Sequence, residues 1–153
     1  MPMIDVYLSE SILTVEQRQV LADRLAGLAR AAEGVGDSPL ASRLSWVYLH
    51  PMPDFTVTRS GAAPRRPLWR IEIATPDGLL DAGAKARLSP QLVRAVLDAE
   101  ADGAHQDDER RAEEHRIWVL FRDVAEGDWF AGSAAASAES LRAAIAREQA
   151  SAA

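Results

Sequence analysis

The chain contains an internal duplication, and this repeat constrains its fold more than any other feature. Three pairs of segments follow one another in the same order: residues 2–8 with 67–73, residues 13–33 with 80–100, and residues 45–49 with 117–121. Each third segment is followed by a short loop and an aromatic residue, Phe55 or Trp129. A duplication specifies the architecture, because both copies must fold in the same way. Each copy is predicted to form a strand, a helix, a second strand and a turn.

The first copy carries clear local markers. Residues 3–8 are apolar on both faces, which predicts a central strand. Thr14 and Gln17 have the spacing of a capping box, with Thr14 as the N-cap of a helix. Gly34 is placed to end that helix in a left-handed conformation. Residues 44–50 are predicted to form the next strand, and a crossover helix between the two strands makes a parallel βαβ unit.

The second copy follows the same plan. Residues 50–53 (His-Pro-Met-Pro), which include Pro51, are predicted to stop the strand at residues 44–50. A strand is expected near residues 68–74 and a helix near residues 81–101. Pro90 lies inside that helix, and because the repeat continues across it we expect one kinked helix. Residues 116–122 are predicted to form the fourth long strand.

The remaining segments are predicted from composition. The run from Asp102 to Glu114 is highly charged and is expected to be a solvated, mobile loop or a helical extension. A short helix begins at Ser137, and the tail beyond it is expected to fray. One integrated domain results, with the following parts: first unit 1–61, linker 62–66, second unit 67–133, and C-terminal helix and tail 134–153.

The second residue is a proline, and removal of Met1 would leave Pro2 with a free secondary amine at the start of the first strand. An α-amino group titrates near ~7.7–8.0, and burial disfavours its charged form. A nitrogen desolvated in a pocket can therefore be neutral and act as a general base. The alternative is that Pro2 is only a tolerated second residue with a fixed φ. If Met1 is retained, the Pro2 nitrogen is an amide and cannot be a base.

Composition excludes several classes of function. The chain has 23 acidic and 17 basic residues, for a net charge of −6, which argues against nucleic acid as a partner. It has no cysteine, so disulfides, thiolate catalysis and cysteine zinc sites are excluded. No apolar run approaches the ~20 residues of a membrane span. The N-terminus lacks the regions of a signal peptide, so we expect a cytoplasmic protein without a membrane partner.

No cofactor or metal is expected. His105 and His115 lie too far apart and lack partners at a ligand spacing. The Gly34-Val35-Gly36 stretch lacks the strand-to-helix setting that a phosphate-binding loop needs.

Three features together resemble the tautomerase superfamily: Pro2 after the initiator Met, the duplicated βαβ unit, and the ending RIWVLFRDVAEGDW at residues 116–129. Short members of that family are similar to 4-oxalocrotonate tautomerase and have one βαβ unit. Long members fuse two units, as in the cis-3-chloroacrylic acid dehalogenase, malonate semialdehyde decarboxylase and macrophage migration inhibitory factor groups. The resemblance covers about residues 2–133.

The resemblance implies an α/β (α+β) fold in which two tandem βαβ units form one four-stranded mixed sheet, with two helices on one face and a short C-terminal helix. It also implies a homotrimer and a catalytic Pro2. A neutral Pro2 would shuttle a proton between carbons of an enol or keto acid, and a charged one would polarise a carbonyl or protonate a carbanion. The family's substrates are small carboxylates held by arginines. Pro67, which the repeat aligns with Pro2, has its nitrogen in a peptide bond and cannot be a base.

The other pocket residues of the family are not matched. Residues 11–12 (Ser-Ile) stand where the short tautomerases carry an arginine, and Trp118 stands where they carry another. The paired arginines of the dehalogenase and decarboxylase groups fall on residues 74–77 (ATPD). The dehalogenase's helical histidine and strand tyrosine fall on Ala29 and Leu120. Dehalogenation and decarboxylation are therefore not expected.

Alternation places Arg116, Trp118, Leu120 and Arg122 on one face of the last long strand, the face that matches the family's pocket residues. Arg122 is the candidate anion-binding residue, and the alternative is a solvated arginine at a sheet edge. Trp118 and Trp129 are candidates for an apolar lid that desolvates the amino-terminal nitrogen. The alternative for both is packing in a trimer interface.

Two functions follow from the sequence. The first is a cofactor-independent isomerase, a tautomerase that uses Pro2 as general base or acid on a small carbonyl or keto-acid compound. The second is a non-catalytic binding or assembly protein that keeps the tautomerase scaffold after losing the substrate-binding arginines. The missing cations favour the second function, and Met-Pro before an apolar strand favours the first.

Overall fold

The computed structural model describes residues 2–36, 38–54, 56–62, 64, 66–100 and 114–152. The charged run predicted at residues 102–114 lies outside this set except for Glu114, as do Phe55 and His105.

Four long strands and four helices make up most of the described chain. The strands are β1 (Met3–Ser9), β2 (Trp46–Met52), β3 (Trp69–Pro76), β4 (Ile117–Val124), and the short β5 (Phe130–Ala131) and β6 (Ala134–Ala135). The helices are α1 (Val15–Ala32), α2 (Pro39–Leu44), α3 (Ala82–Glu100) and α4 (Ala138–Ala152), and a 3₁₀ turn (Glu114–Arg116) precedes β4.

The four long strands form one mixed sheet in the order β2-β1-β3-β4. β1 runs parallel to β2, β3 runs parallel to β4, and the central pair β1 and β3 is antiparallel. The short strands β5 and β6 form a separate hairpin. The predicted fold class is confirmed: two βαβ units share one four-stranded sheet.

The core lies between the sheet and the two long helices. Every second residue of β1 is buried, and so is every second residue of β3 from Trp69 to Ile73. These side chains meet the apolar stripes of α1 and α3, so both long helices cover the same face of the sheet. The fully buried side chains of this layer include Ile4, Val6, Leu8, Leu21, Leu25, Ile71, Ile73, Leu88 and Leu92.

The predicted ends of α1 are confirmed. The Thr14 hydroxyl accepts a hydrogen bond from the Gln17 amide at 3.2 Å, and the Gln17 side chain accepts one from the Thr14 amide at 2.9 Å. Gly34 has a φ of 73°, the left-handed conformation that glycine adopts without strain. Helix α3 is one element with Pro90 inside it, as the repeat predicted.

Three elements differ from the prediction. Strand β2 continues through Pro51 to Met52, because it is an edge strand, where a residue without an amide hydrogen is tolerated. Helix α2, which begins at Pro39, was not predicted from its short segment. Helix α4 has 15 residues and is longer than the short helix expected after Ser137.

The repeat itself needs a correction of two residues in its first strand. Met3 pairs with Trp46 in the first copy, and the corresponding pair in the second copy is Arg70 with Trp118. Residues 2–9 therefore match 69–76 with the same offset of 67 as the helices, and the counterpart of Pro2 is Trp69 rather than Pro67. A slip of two residues keeps every side chain on its face, so alternation in the sequence did not reveal it.

The sheet face opposite the long helices is open and carries aromatic and charged side chains. Trp46 on β2 is 56% exposed and Trp118 on β4 is 68% exposed. Between them the Asp5 carboxylate lies 2.6 Å from His50 Nε2, and the His50 ring stacks on Tyr7 at 4.5 Å between centroids. Three rows of paired residues cross this face: Trp46-Met3-Ala74-Arg122, Tyr48-Asp5-Glu72-Leu120 and His50-Tyr7-Arg70-Trp118.

None of the helices in the described part of the chain is long and apolar enough to cross a membrane.

Candidate functional site

Pro2 lies at the start of the central strand β1, and its ring is fully buried. Its carbonyl oxygen accepts a hydrogen bond from the Trp46 amide at 3.1 Å, which extends the β1-β2 ladder by one step. Since side chains alternate along a strand, the Pro2 ring belongs to the same face as Ile4 and Val6, the face covered by the long helices. Pro2 therefore lies at one end of the sheet, on its helix-covered side.

Helix α1 brings Glu33 back to the same end of the sheet. β1 has seven residues and spans about 23 Å. α1 has 18 residues, spans about 27 Å and runs back along the strand that it covers. Its C-cap residue is Glu33, whose amide donates to the Ala29 carbonyl at 3.0 Å. The carboxyl group of Glu33 is thus presented at the level of the β1 start.

Glu33 is a buried acid in a positively charged setting. The residue is only 7% exposed. Burial raises the pKa of the Glu33 carboxyl above its ordinary value, while the positive charges of the chain's amino terminus, Arg30 and Arg142 act in the opposite direction. Such a combination of desolvation and specific charge partners is typical of functional acids and bases.

The second copy has an acid in the corresponding position, Glu100. Trp69, the counterpart of Pro2, donates its indole N–H to Glu100 Oε1 at 2.5 Å. Arg116 forms a bidentate pair with the same carboxylate, with Nη1 at 2.7 Å from Oε1, and also donates to the Pro67 carbonyl at 3.0 Å. The counterpart of Arg116 in the first copy is Leu44, which carries no charge.

The expectation that Arg116 shares the exposed face of the last strand is wrong. Arg116 lies in the 3₁₀ turn before β4 begins at Ile117, so strand alternation does not determine its direction. Its side chain is 6% exposed and pairs with Glu100, which is 8% exposed. The pair is a buried structural ion pair.

Helix α4 packs beside the Pro2 end of the first copy. Ile145 packs with Val35 and Ala41, just beyond the end of α1. Glu148 accepts hydrogen bonds from the Ser38 hydroxyl and from the Leu40 amide at 2.9 Å, and these lower the pKa of the Glu148 carboxyl. These contacts seat the helix against the N-terminus of α2.

An open cleft of about 280 Å³ lies beyond the carboxyl ends of β3 and β4. Because β3 is antiparallel to β1, this is the end of the sheet at which β1 starts. Arg142 reaches into the cleft from α4 and donates to the Gly78 carbonyl at 3.0 Å. The lining residues are Pro76, Asp77, Gly78, Val124, Glu126, Ser137, Ala138, Glu139 and Arg142.

The three other candidate site residues occupy different places. Arg122 lies in the same row of the sheet as Met3 but two strands away, on the open face, where it donates to Glu72 at 3.1 Å. Trp118 is near the opposite end of β4, far from Pro2 in the same chain. Trp129 packs with Leu141 of α4 in a small apolar cluster.

Two charged residues at this end of the sheet were not predicted from the sequence: Glu33 and Arg142. In the sequence, a glutamate at a helix end and an arginine in a C-terminal helix are both typical of exposed surface residues. Glu33 could have been found from the repeat, because it aligns with Glu100 in an ungapped segment. Arg142 follows the second βαβ unit and has no counterpart in the repeat.

No group of three or more metal-ligating side chains occurs within the described ranges.

Several solved structures are similar to this chain over most of its length. The Q0 fused 4-OT wild type symmetric trimer has a TM-score of 0.67 and 19% identity, covering 91% of this chain and 98% of that one. A macrophage migration inhibitory factor-like protein from Entamoeba histolytica has a TM-score of 0.63 and 16% identity, covering 88% and 98%. FG41 malonate semialdehyde decarboxylase inhibited by 3-bromopropiolate has a TM-score of 0.61 and 16% identity, covering 93% and 96%.

The chain has the tautomerase superfamily fold. No protein-family model and no curated protein sequence matches it. The tautomerase likeness therefore rests on the arrangement of strands and helices, and the roles of individual residues are a separate question.

Proposed function

We propose that this chain is a cofactor-independent tautomerase in which Pro2, freed by removal of Met1, transfers a proton on a small carbonyl or keto-acid compound. The proton would leave one carbon of the substrate for the Pro2 nitrogen and return to a neighbouring carbon or oxygen, so that the product is an isomer. This chemistry needs no redox cofactor and no metal.

One observation carries the proposal: Pro2 begins a buried central strand at the end of the sheet where an open cleft lies. With Met1 removed, a buried position of the Pro2 ring would lower the pKa of its nitrogen, because a desolvated ammonium is disfavoured. The tautomerase fold, which this chain shares with the fused 4-OT and the malonate semialdehyde decarboxylase above, adds support at the level of architecture.

A carboxylate-bearing substrate would need a cation near Pro2. Arg142 at the cleft is a candidate, because a guanidinium matches a carboxylate in shape and charge. Arg122 remains the candidate predicted from the sequence. Its hydrogen bond to Glu72 must break before it can bind a substrate carboxylate. The variants Arg142→Gln and Arg122→Gln distinguish the two, since loss of the binding cation raises KM more than it lowers kcat.

We further propose a homotrimer assembled through the open face of the sheet. Large apolar side chains are exposed on both edge strands, including Trp46, Tyr48, Trp118 and Leu120. One of the similar structures is described as a symmetric trimer. In such an assembly a neighbour's Trp118 would form a wall of the site. Light scattering should give three times the 16.6 kDa chain mass, and Leu120→Asp should give the monomer.

The test begins with the intact mass of the purified chain, which must correspond to loss of Met1. Keto–enol conversion of a phenylpyruvate-type substrate is then measured for the wild type, Pro2→Ala and Pro67→Ala. We expect Pro2→Ala to lose about 10²–10⁴-fold in rate, the range that a positioned acid or base contributes. Pro67→Ala is the matched control, because its nitrogen is an amide, and it should keep wild-type activity.

Equal turnover by the wild type and Pro2→Ala, or an intact mass that includes Met1, would reject catalysis by Pro2. The protein would then be the non-catalytic scaffold that the missing family arginines favour.

A further inference from the structure

Two arginines on the open face of the sheet contact the same carboxylate. Arg70 lies two residues before Glu72 on β3. Arg122 lies on the neighbouring strand β4, opposite Ala74. Arg70 Nη2 forms an ion pair with Glu72 Oε1, and Arg122 Nη2 donates to Glu72 Oε2 at 3.1 Å. Since both oxygens belong to one carboxylate, the two guanidiniums converge on a single point of the face.

The Arg70 guanidinium is held by a second contact. Its Cζ lies 4.8 Å from the centre of the Tyr7 ring, within the distance of a cation–π interaction. The Tyr7 ring stacks on His50 at 4.5 Å between centroids, and His50 Nε2 lies 2.6 Å from the Asp5 carboxylate. Asp5, which is opposite Glu72 in the sheet, thus pairs with His50, and Glu72 is the carboxylate that both arginines contact.

The shared carboxylate is less exposed than the guanidiniums that contact it. The Glu72 side chain is 13% exposed, compared with 50% for Arg70 and 68% for Arg122. A guanidinium has five N–H donors, and the contact with Glu72 uses one nitrogen of each arginine. Both arginines therefore retain donors for a second oxyanion that arrives from solvent.

We propose that Arg70 and Arg122 form a carboxylate-binding site that the chain's own Glu72 occupies. Guanidiniums match a carboxylate in shape and charge, so the pair suits a small monocarboxylate. An incoming carboxylate first replaces Glu72 at Arg122, because an exposed ion pair contributes little net energy. The inference goes beyond the proposed function, because binding a carboxylate at this pair requires no proton transfer by Pro2.

Glu72→Gln tests the competition, because it removes the carboxylate charge and keeps the shape of the side chain. A competing group within the same chain acts at an effective concentration of about millimolar or higher, so its removal should tighten binding of an external carboxylate by about tenfold. Arg70→Gln or Arg122→Gln, combined with Glu72→Gln, should abolish this gain. Glu16→Gln changes the net charge equally at the exposed start of α1, and this matched control should bind as the wild type does.

The probe is benzoate, which has one carboxylate and no enolisable carbon, so the proposed reaction at Pro2 cannot consume it. Its dissociation constant is measured by NMR titration of the full chain, followed at the arginine side-chain N–H signals. Benzamide, which has the same ring and no charge, is the comparison ligand. Light scattering on the same samples reports whether a variant changes subunit association.

Tighter benzoate binding in Glu72→Gln, lost in both double variants and not seen with benzamide, supports the site. Equal benzoate binding by the wild type and Glu72→Gln overturns it, as does a gain that survives without Arg122 or that accompanies a change in subunit association. Tighter binding in Glu72→Gln together with equal turnover by the wild type and Pro2→Ala supports the carboxylate site and rejects the proposed function.

Discussion

The two copies of the βαβ unit start their long helices in the same way and end them differently. At the starts, Thr14 accepts from the Gln17 amide at 3.2 Å and Asp81 accepts from the Ala84 amide at 2.6 Å, and these residues are counterparts in the repeat. At the ends, Glu100 forms a buried ion pair with Arg116, whereas the residue that aligns with Arg116 in the first copy is the uncharged Leu44. The duplicated scaffold was kept, and the ends of its two long helices carry acids with different neighbours.

The largest difference in stability between the two copies should appear when Glu100 and Glu33 are each replaced. Glu100→Leu leaves the buried Arg116 charge without its carboxylate, which should cost about 3–5 kcal/mol. Glu33→Leu should cost much less, because burial already penalises its charged form. The free energy of unfolding in urea measures both, and equal losses would contradict this difference between the two acids.

Helix α4 packs just beyond the C-terminal end of α1, so loosening it should affect the first copy selectively. Leu141 is buried against Leu44 and Trp129, and Leu141→Ala should cost about 2 kcal/mol at this small satellite cluster. Arg147→Ala, on the exposed side of the same helix, is the control. Hydrogen exchange should quicken at the end of α1 in Leu141→Ala and stay unchanged at the end of α3; uniform quickening would show that α4 does not act locally.

The helix starts provide the complementary test, because there the copies agree. Thr14→Ala and Asp81→Ala should each cost about 1 kcal/mol, since each removes one N-cap acceptor. Thr14→Ser retains the acceptor and should be near wild type. Thermal unfolding measures all three, and clearly unequal losses for the two alanine variants would break the equivalence of the two starts.

The smallest effect should be the pH dependence that Glu33 adds to stability. The pKa of Glu33 is raised in the folded state, so the folded chain binds the proton more tightly than the unfolded chain does. The stability from this group is complete below its ordinary pKa and is lost as pH rises through the raised folded value. The wild type should therefore lose stability relative to Glu33→Leu over that window. A difference that grows in the opposite direction would mean that the surrounding positive charges outweigh burial.

Local patterns in the sequence predicted most of the scaffold. Strands, the two long helices and the Thr14 capping box follow from apolar periodicity and cap chemistry, which act within a few residues. The end of β2 was misplaced because only the tertiary arrangement makes it an edge strand that accepts Pro51. The two-residue shift in the alignment of the repeat could not be predicted, because it preserves the alternation of side chains between the two faces of the sheet.

The candidate site was predictable only in part. Pro2 is conspicuous because a secondary amine at the N-terminus is a property of the residue itself and needs no knowledge of the fold. Glu33 and Arg142 become notable only through the burial and the neighbouring charges that the fold imposes on them. The roles of Arg122, Trp118 and Trp129 stay predictions, since within one chain these three residues do not surround Pro2. The domain limits at residues 61 and 133 likewise stay predictions.

The tryptophans of this chain differ in their exposure to solvent. Of its four, Trp46 and Trp118 are exposed on the open sheet face, and Trp69 is buried against Glu100. Covering that face would move two indoles out of water and leave the third unchanged. In the proposed homotrimer, the intrinsic fluorescence of the chain would therefore report subunit association, with an emission maximum that shifts to the red if dilution separates the subunits.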